Sequence, residues 1–424
     1  MPKEKEAGAK KMKPKNFKRT KFACYAAYFT MSSIFCLPPL LFVTMRQMYG
    51  ISYTLLGTLV LINFCTQLTV DLIFSFFTKY FNIRKTVCFT PLICSAGFLI
   101  YCLVPAVFPQ YVYVGLVIGT FIFSIAAGLS EALISPTLAA IPGTDERDMS
   151  FLHSMYAWGV LAVILISTLY FTLFGRENWL WLALIMAFLP VVTSVLFFTS
   201  PMPEMDITPA QGQGGSKKRN YAMALCVACI FMGSAAENTM TNWISSFVES
   251  ALSIPKAAGD ILGMAAFIGL LGLARVLHAK YGGKMINILL VSMTAAVACY
   301  LTAALSPSPV IALIACVITG FFTSLLWPGT LILMEEQIPG VGVAAYALMA
   351  AGGDFGASVA PQMMGIMVDG VSASAWAAEM GMQLSLAPEQ IGMKVGMLAA
   401  AAFPVIGVLL LLYMKRYFAR NPLK

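Results

Sequence analysis

The run from Gly128 to Gly159, GLSEALISPTLAAIPGTDERDMSFLHSMYAWG, returns in altered form from Gly320 to Gly356, GFFTSLLWPGTLILMEEQIPGVGVAAYALMAAGGDFG. In each copy a proline (Pro136, Pro328) stands eight residues after the leading glycine. Ile-Pro-Gly follows at Ile141 to Gly143 and at Ile338 to Gly340, and its proline precedes the closing glycine by 17 residues in both. The step from the first proline to the tripeptide differs by five residues, so the copies have diverged. Two shared spacings and a shared tripeptide argue for an internal repeat. In a membrane chain, two related halves suggest one half rocking against the other around a central site.

The surroundings of the repeat are apolar. The 424 residues are 59% hydrophobic and 11% charged, where soluble domains carry roughly 25% charged residues. A helix needs about 20 apolar residues to cross a bilayer and must satisfy its own backbone there. The apolar runs predict about twelve spans, at 22–45, 52–76, 86–107, 111–135, 150–174, 178–200, 221–248, 257–279, 284–305, 309–334, 341–368 and 393–417. The expected fold is an all-α membrane protein of two pseudo-symmetric six-helix halves, 22–200 and 221–417. A basic tail (1–21), a Pro/Gly/Ser-rich linker (201–220) and a short C-terminal tail (418–424) complete the chain. A short interfacial helix is expected in the connection 369–392, around Trp376.

Charge sets the orientation. With both termini cytoplasmic, 23 of the 27 Lys and Arg fall on that side, and only Arg46, Arg176, Lys256 and Lys394 do not. This is the positive-inside pattern. The net charge of +8 then belongs to anchoring beside anionic lipid, and no nucleic-acid partner is expected. The N-terminal tail is too polar for a signal peptide. All ten cysteines lie in expected spans, including the Cys226/Cys229 pair, where packing is their expected role. There is no P-loop and no zinc-protease or hydrolase motif. No enzyme activity, metal or cofactor is expected.

Ionisable groups in a bilayer are costly and point to function. The spans hold Asp71, Glu131, His153, Glu237 and Asp354, with Asp260 and Arg275 nearer the ends of span eight. No Lys or Arg is expected at mid-depth, so the carboxylates read as lacking a cation and as open to reversible protonation. Helical spacing draws stripes: Asn63, Gln67 and Asp71 on span two, and Ser124, Gly128, Glu131 and Ser135 on span four. Span seven carries Ser234, Asn238 and Asn242 with Glu237 beside them, and span eleven carries Asp354, Ser358 and Gln362. Such stripes line one cavity or tie helices together by hydrogen bonds. Trp158, Trp243 and Trp327 offer flat apolar faces suited to a sugar, or simply pack. His153 relays protons with Glu131 or caps a carbonyl. Within the repeat, Thr323 takes the place of Glu131.

On this span pattern, with cytoplasmic termini and a central linker, the chain resembles the major facilitator superfamily over nearly its whole length. The family's loop motif G-x-x-x-D-R-x-G-R-[KR] survives in part as Thr78-Lys-Tyr-Phe-Asn-Ile-Arg-Lys85 and Ala279-Lys-Tyr-Gly-Gly-Lys284. Leu152-His-Ser-Met-Tyr-Ala-Trp-Gly159, Glu237-Asn-Thr-Met-Thr-Asn-Trp243 and Gly353-Asp-Phe-Gly356 are similar to the fucose-permease-like sugar symporter branch. That branch's acid on span four corresponds to Glu131. Its acid on span one has no counterpart, since span one contains no Asp or Glu.

The resemblance implies a monomeric secondary transporter in the cytoplasmic membrane, moving a small polar, sugar-like solute by alternating access on a proton or other cation gradient. Asn63, Gln67, Glu237, Asn238, Asn242, Trp243, Trp327 and Asp354 are the expected solute contacts. Glu131, His153 and Asp71 are the expected coupling groups. Pro136 and Pro328 are expected to bend spans four and ten. Export of amphipathic compounds, or a non-transporting sensor on the same scaffold, are the competing readings. The tails are too short for a signalling domain.

Overall fold

Apolar runs of this length close their hydrogen bonds by winding into helices, because no other backbone partner exists in lipid. The computed structural model describes residues 16–77, 80–144, 146–203, 217–339 and 343–422. Most of the basic tail, the centre of the linker, Thr78 and Lys79 of the first basic loop, and Gly340 of the second repeat lie outside the described residues. The first half contains α1 (Lys18–Tyr49), α2 (Tyr53–Phe77), α3 (Ile83–Val107), α4 (Val112–Ala139), α5 (Glu146–Phe174) and α6 (Trp179–Phe198). In the second half, α7 (Lys217–Ser246) runs into a π-helical turn, Phe247–Ala251. Span eight is α8 (Lys256–Gly259), a π-helical stretch (Asp260–Ala265) and α9 (Ala266–Tyr281). Next come α10 (Met285–Leu305), then α11 (Pro309–Thr323) and α12 (Leu326–Gln337), which share span ten. After them α13 (Val343–Ser372) is span eleven, α14 (Ala375–Leu384) is the short helix expected near Trp376, and α15 (Pro388–Ala400) with α16 (Ala402–Arg420) form span twelve.

Among the described residues no strand occurs, and eleven helices are long and apolar enough to cross a membrane. The twelfth, α13, has 30 residues but is diluted by Gly352, Gly353, Asp354, Gly356, Ser358 and Gln362. The break in span ten falls at Ser324–Leu325, four and three residues before Pro328. A proline offers no N–H to the carbonyl four residues back and crowds it with its ring, so the interruption lies where Pro328 is expected to bend the span. Pro136 sits inside α4, three residues before its end.

The repeat has a packing cause. In the first half α1 packs on α5, α2 on α4, and α3 on α4 and α6. In the second, α7 packs on α13, α9 on α11, and α10 on α11 and α16. The matched glycines stand at matched crossings. A methyl added at Gly159 would come 2.3 Å from the Phe29 carbonyl oxygen on α1, and one at Gly356 would come 2.3 Å from the Phe231 carbonyl oxygen on α7. Gly128 likewise meets Val70 and the Gln67 carbonyl on α2, and Gly320 meets the Phe267 carbonyl on α9. Small residues let membrane helices approach this closely.

The halves meet through α2 on α13, α1 on α7, and α5 on span eight. A cluster of charges ties them at the face of the α1–α2 turn, opposite the basic face. The Asp369 carboxylate of α13 accepts hydrogen bonds from the Tyr53 and Thr54 backbone N–H groups, at 3.1 and 2.5 Å. It thereby caps the N-terminus of α2 from the other half, an arrangement worth up to about 2 kcal/mol when partly buried. Arg46 reaches Asp369 at 3.6 Å and Glu389 at 3.0 Å, and the Tyr53 hydroxyl donates to Glu389 at 2.8 Å. Arg176 pairs with Glu249 at 2.5 Å. Lys256 pairs with the buried Asp260 at 3.0 Å, toward which Thr168 of the first half also donates at 3.5 Å. Three of the four basic residues set apart by the charge count therefore have acidic partners at this seam. The fourth, Lys394, donates to the Ser306 carbonyl at 2.9 Å.

Candidate functional site

The stripes on α2, α4, α7 and α13 turn toward one another because each is the polar side of an otherwise apolar helix. Midway along α2, Asn63 is 7% exposed and Gln67 only 1%. The Asn63 Oδ1 accepts from Gln67 Nε2 at 3.2 Å and from Ser124 Oγ of α4 at 2.6 Å. Asn242 of α7 faces the same small void as Asn63 and Thr120, and its side-chain amide donates to the Asn238 carbonyl at 2.8 Å. Asn238 donates back to Ser234. This amide layer is nearly closed from solvent.

Toward the basic face the side chains become accessible and acidic. Glu131 is exposed, and Asp71 and Asp354 are half-buried. Asp354 feels the charges of both Glu131 and Asp71, and Asp71 that of Glu131. Three carboxylates, two from the first half and one from the second, thus lie within electrostatic reach of one another. One Asp71 oxygen is buried without a hydrogen-bond donor. Tyr28 lies beside this group, with its hydroxyl 2.7 Å from Ser135 Oγ and its ring 5.4 Å from the exposed His153 ring.

A cation is present, contrary to the sequence expectation. Arg275 of α9 places a guanidinium nitrogen 3.8 Å from Glu237 Oε1, and its Nε donates to the Ser324 carbonyl at 3.1 Å. That carbonyl belongs to the interruption between α11 and α12. An arginine near a helix end reads as snorkelling, but its length carries the charge inward. The second Glu237 oxygen is buried and has no donor. Tyr156 lies within electrostatic reach of Glu131, Glu237 and Arg275. The sequence signal for Tyr156 was its place three residues after His153, on the same face of α5.

The tryptophans separate. Trp243 is fully buried. Its indole N–H donates to the Pro361 carbonyl at 3.0 Å, and its ring lies 5.5 Å from both Phe42 and Tyr53. It presents no face to the accessible space and instead closes the floor beneath the charged seam. Trp327 is half-buried, and its indole nitrogen crowds Gly353, next to Asp354. Trp158 is 60% exposed. Among the described residues no group of His, Cys, Asp and Glu has the arrangement to hold a metal ion.

The family model described as Major Facilitator Superfamily matches residues 22–361. No curated protein matches the sequence. A variant of the nucleoside transporter NupG is similar in structure, with a TM-score of 0.68 at 15% identity over 94% of this chain and 100% of its own. The D-xylose-proton symporter gives 0.70 at 12%, over 91% and 96%. A variant of the E. coli fucose:proton symporter FucP gives 0.54 at 11%, over 92% and 99%. At these identities the likeness speaks for the fold, and transporters of several solute types share it.

Proposed function

The chain belongs to the Major Facilitator Superfamily, and from that membership we propose that it carries a small polar, sugar-like solute through the cytoplasmic membrane by proton-coupled alternating access. The basic face is cytoplasmic in this reading. The state described is then closed to the outside at the Asp369 seam and open to the inside at Glu131. One observation carries the proposal: carboxylates from both halves lie within electrostatic reach of one another, on the same helices as a buried amide layer. Asp71, Glu131 and Asp354 repel one another when all are charged, so taking up a proton favours their approach. Rocking the halves changes that approach, which links protonation to conformation. His153 exchanges the proton with the interior.

Asn63, Gln67, Glu237, Asn238, Asn242 and Asp354 hold the solute. The unpartnered oxygens of Asp71 and Glu237 call for hydrogen-bond donors, which the hydroxyls of a sugar or nucleoside supply. Trp327 is the aromatic wall of the site. Trp243 serves the outer closure and contacts solute only once the seam opens.

Uptake into proteoliposomes of labelled pentoses, hexoses and nucleosides tests the solute class. Saturable uptake of a member of this panel, stimulated by an inward proton gradient, is expected. No uptake from the panel, together with gradient-driven extrusion of an amphipathic dye, would establish export of amphipathic compounds instead.

A further inference from the structure

Away from the central space, the lateral surface of the second half carries a groove of about 410 Å³ between α9, α10 and the end of α11. This volume falls within the range of small-molecule sites, roughly 300–1,000 Å³. Its depth is apolar, with Leu277, Ile288, Val291, Phe321, Phe322 and Leu325 among its walls. Its mouth, at the basic face, is polar and cationic. Lys280 lies with its Nζ 5.4 Å from the centre of the Tyr281 ring, and Lys415 donates to Asn287 Oδ1 at 2.8 Å. Tyr281 and Asn287 both line the groove. Among the described residues nothing acidic lines it.

A slot with apolar walls and two lysines at its rim matches one chemistry, an anionic head on a hydrocarbon chain. We infer that the groove seats one acyl chain of an anionic glycerophospholipid, with its phosphate held at Lys280 and Lys415. The apolar walls argue against a free phosphate, which would leave them bare. The lysines argue against a zwitterionic lipid, whose head carries no net charge. The site also has a route to the central space. Phe321, Phe322 and Leu325 flank the interruption at Ser324, whose carbonyl is held by Arg275. A seated chain therefore braces the interruption that positions Arg275.

Native mass spectrometry of the delipidated, full-length protein tests this, by titration with phosphatidylglycerol and phosphatidylcholine of identical chains. The wild type retains phosphatidylglycerol more tightly. Lys280→Gln and Lys415→Gln each weaken that retention about fivefold and leave phosphatidylcholine unchanged. Val291→Trp, at a position 64% exposed, fills the groove without disturbing the interior and lowers retention of both lipids. Glycerol phosphate does not compete. Equal retention of the two lipids, indifference to the lysine substitutions, full retention in Val291→Trp, or competition by glycerol phosphate would each overturn the inference.

Discussion

Arg275 joins a bond to a main-chain carbonyl with a charge 3.8 Å from a half-buried carboxylate. Removing it leaves Glu237 without a cation and the Ser324 carbonyl without a donor. Arg275→Gln should lower solute uptake about tenfold, since losing the hydrogen bond from a charged group costs about 1.5–3 kcal/mol. Arg275→Lys should not rescue it, because a single ammonium cannot address both partners as a planar guanidinium does. Uptake by both variants, at matched protein density, decides this. Full activity of the lysine variant would reduce Arg275 to a point charge. The acids of the site were legible in the sequence because each interrupts an apolar run. Arg275 was not, since sequence gives depth along a helix but not the direction in which a long side chain reaches. Tyr28 was hidden for another reason: tyrosine is ordinary in an apolar helix, and only its neighbours set it apart.

At the scale of elements, the repeat is a pattern of close helix crossings. Gly159→Val and Gly356→Val should each destabilise the protein by about 1–3 kcal/mol or more, the cost of overpacking. Equivalent effects in the two halves are expected because both glycines meet a carbonyl at 2.3 Å. Gly269 and Gly272 of α9 have no neighbour within 4 Å of an added methyl. Alanine there should leave stability unchanged or raise it by up to about 1 kcal/mol. Thermal unfolding in detergent measures all four. If the alanine and valine variants unfold alike, the crossings do not depend on these glycines. The glycine spacings were legible because close packing admits few other residues. The interruption of span ten was legible from Pro328, which frees the carbonyl of Ser324 four residues back, but the donor that takes up that carbonyl, Arg275, was not.

At the scale of the molecule, the two halves are held together on one face by bonds between residues far apart in sequence. The charge count singled out Arg46, Arg176 and Lys256 without revealing their partners, because pairing across the halves is a property of the assembled fold. Asp369→Asn removes the charge that caps α2 and faces Arg46. It should shift the population toward a state open at that face by about 1–2 kcal/mol. Spin labels at Ser52 and Ala387, read by pulsed electron–electron distance measurement, should report a longer distance in the variant. An unchanged distance distribution would mean that Asp369 does not hold the closure. Proton coupling is the centre of the account, and Glu131 is its most exposed carboxylate. The direct measurement is solute accumulation in proteoliposomes after a pH jump, comparing wild type with Glu131→Gln. The account predicts gradient-driven accumulation by the wild type, lost in the variant, with solute exchange in the absence of a gradient preserved. Accumulation indifferent both to the gradient and to Glu131→Gln would contradict it.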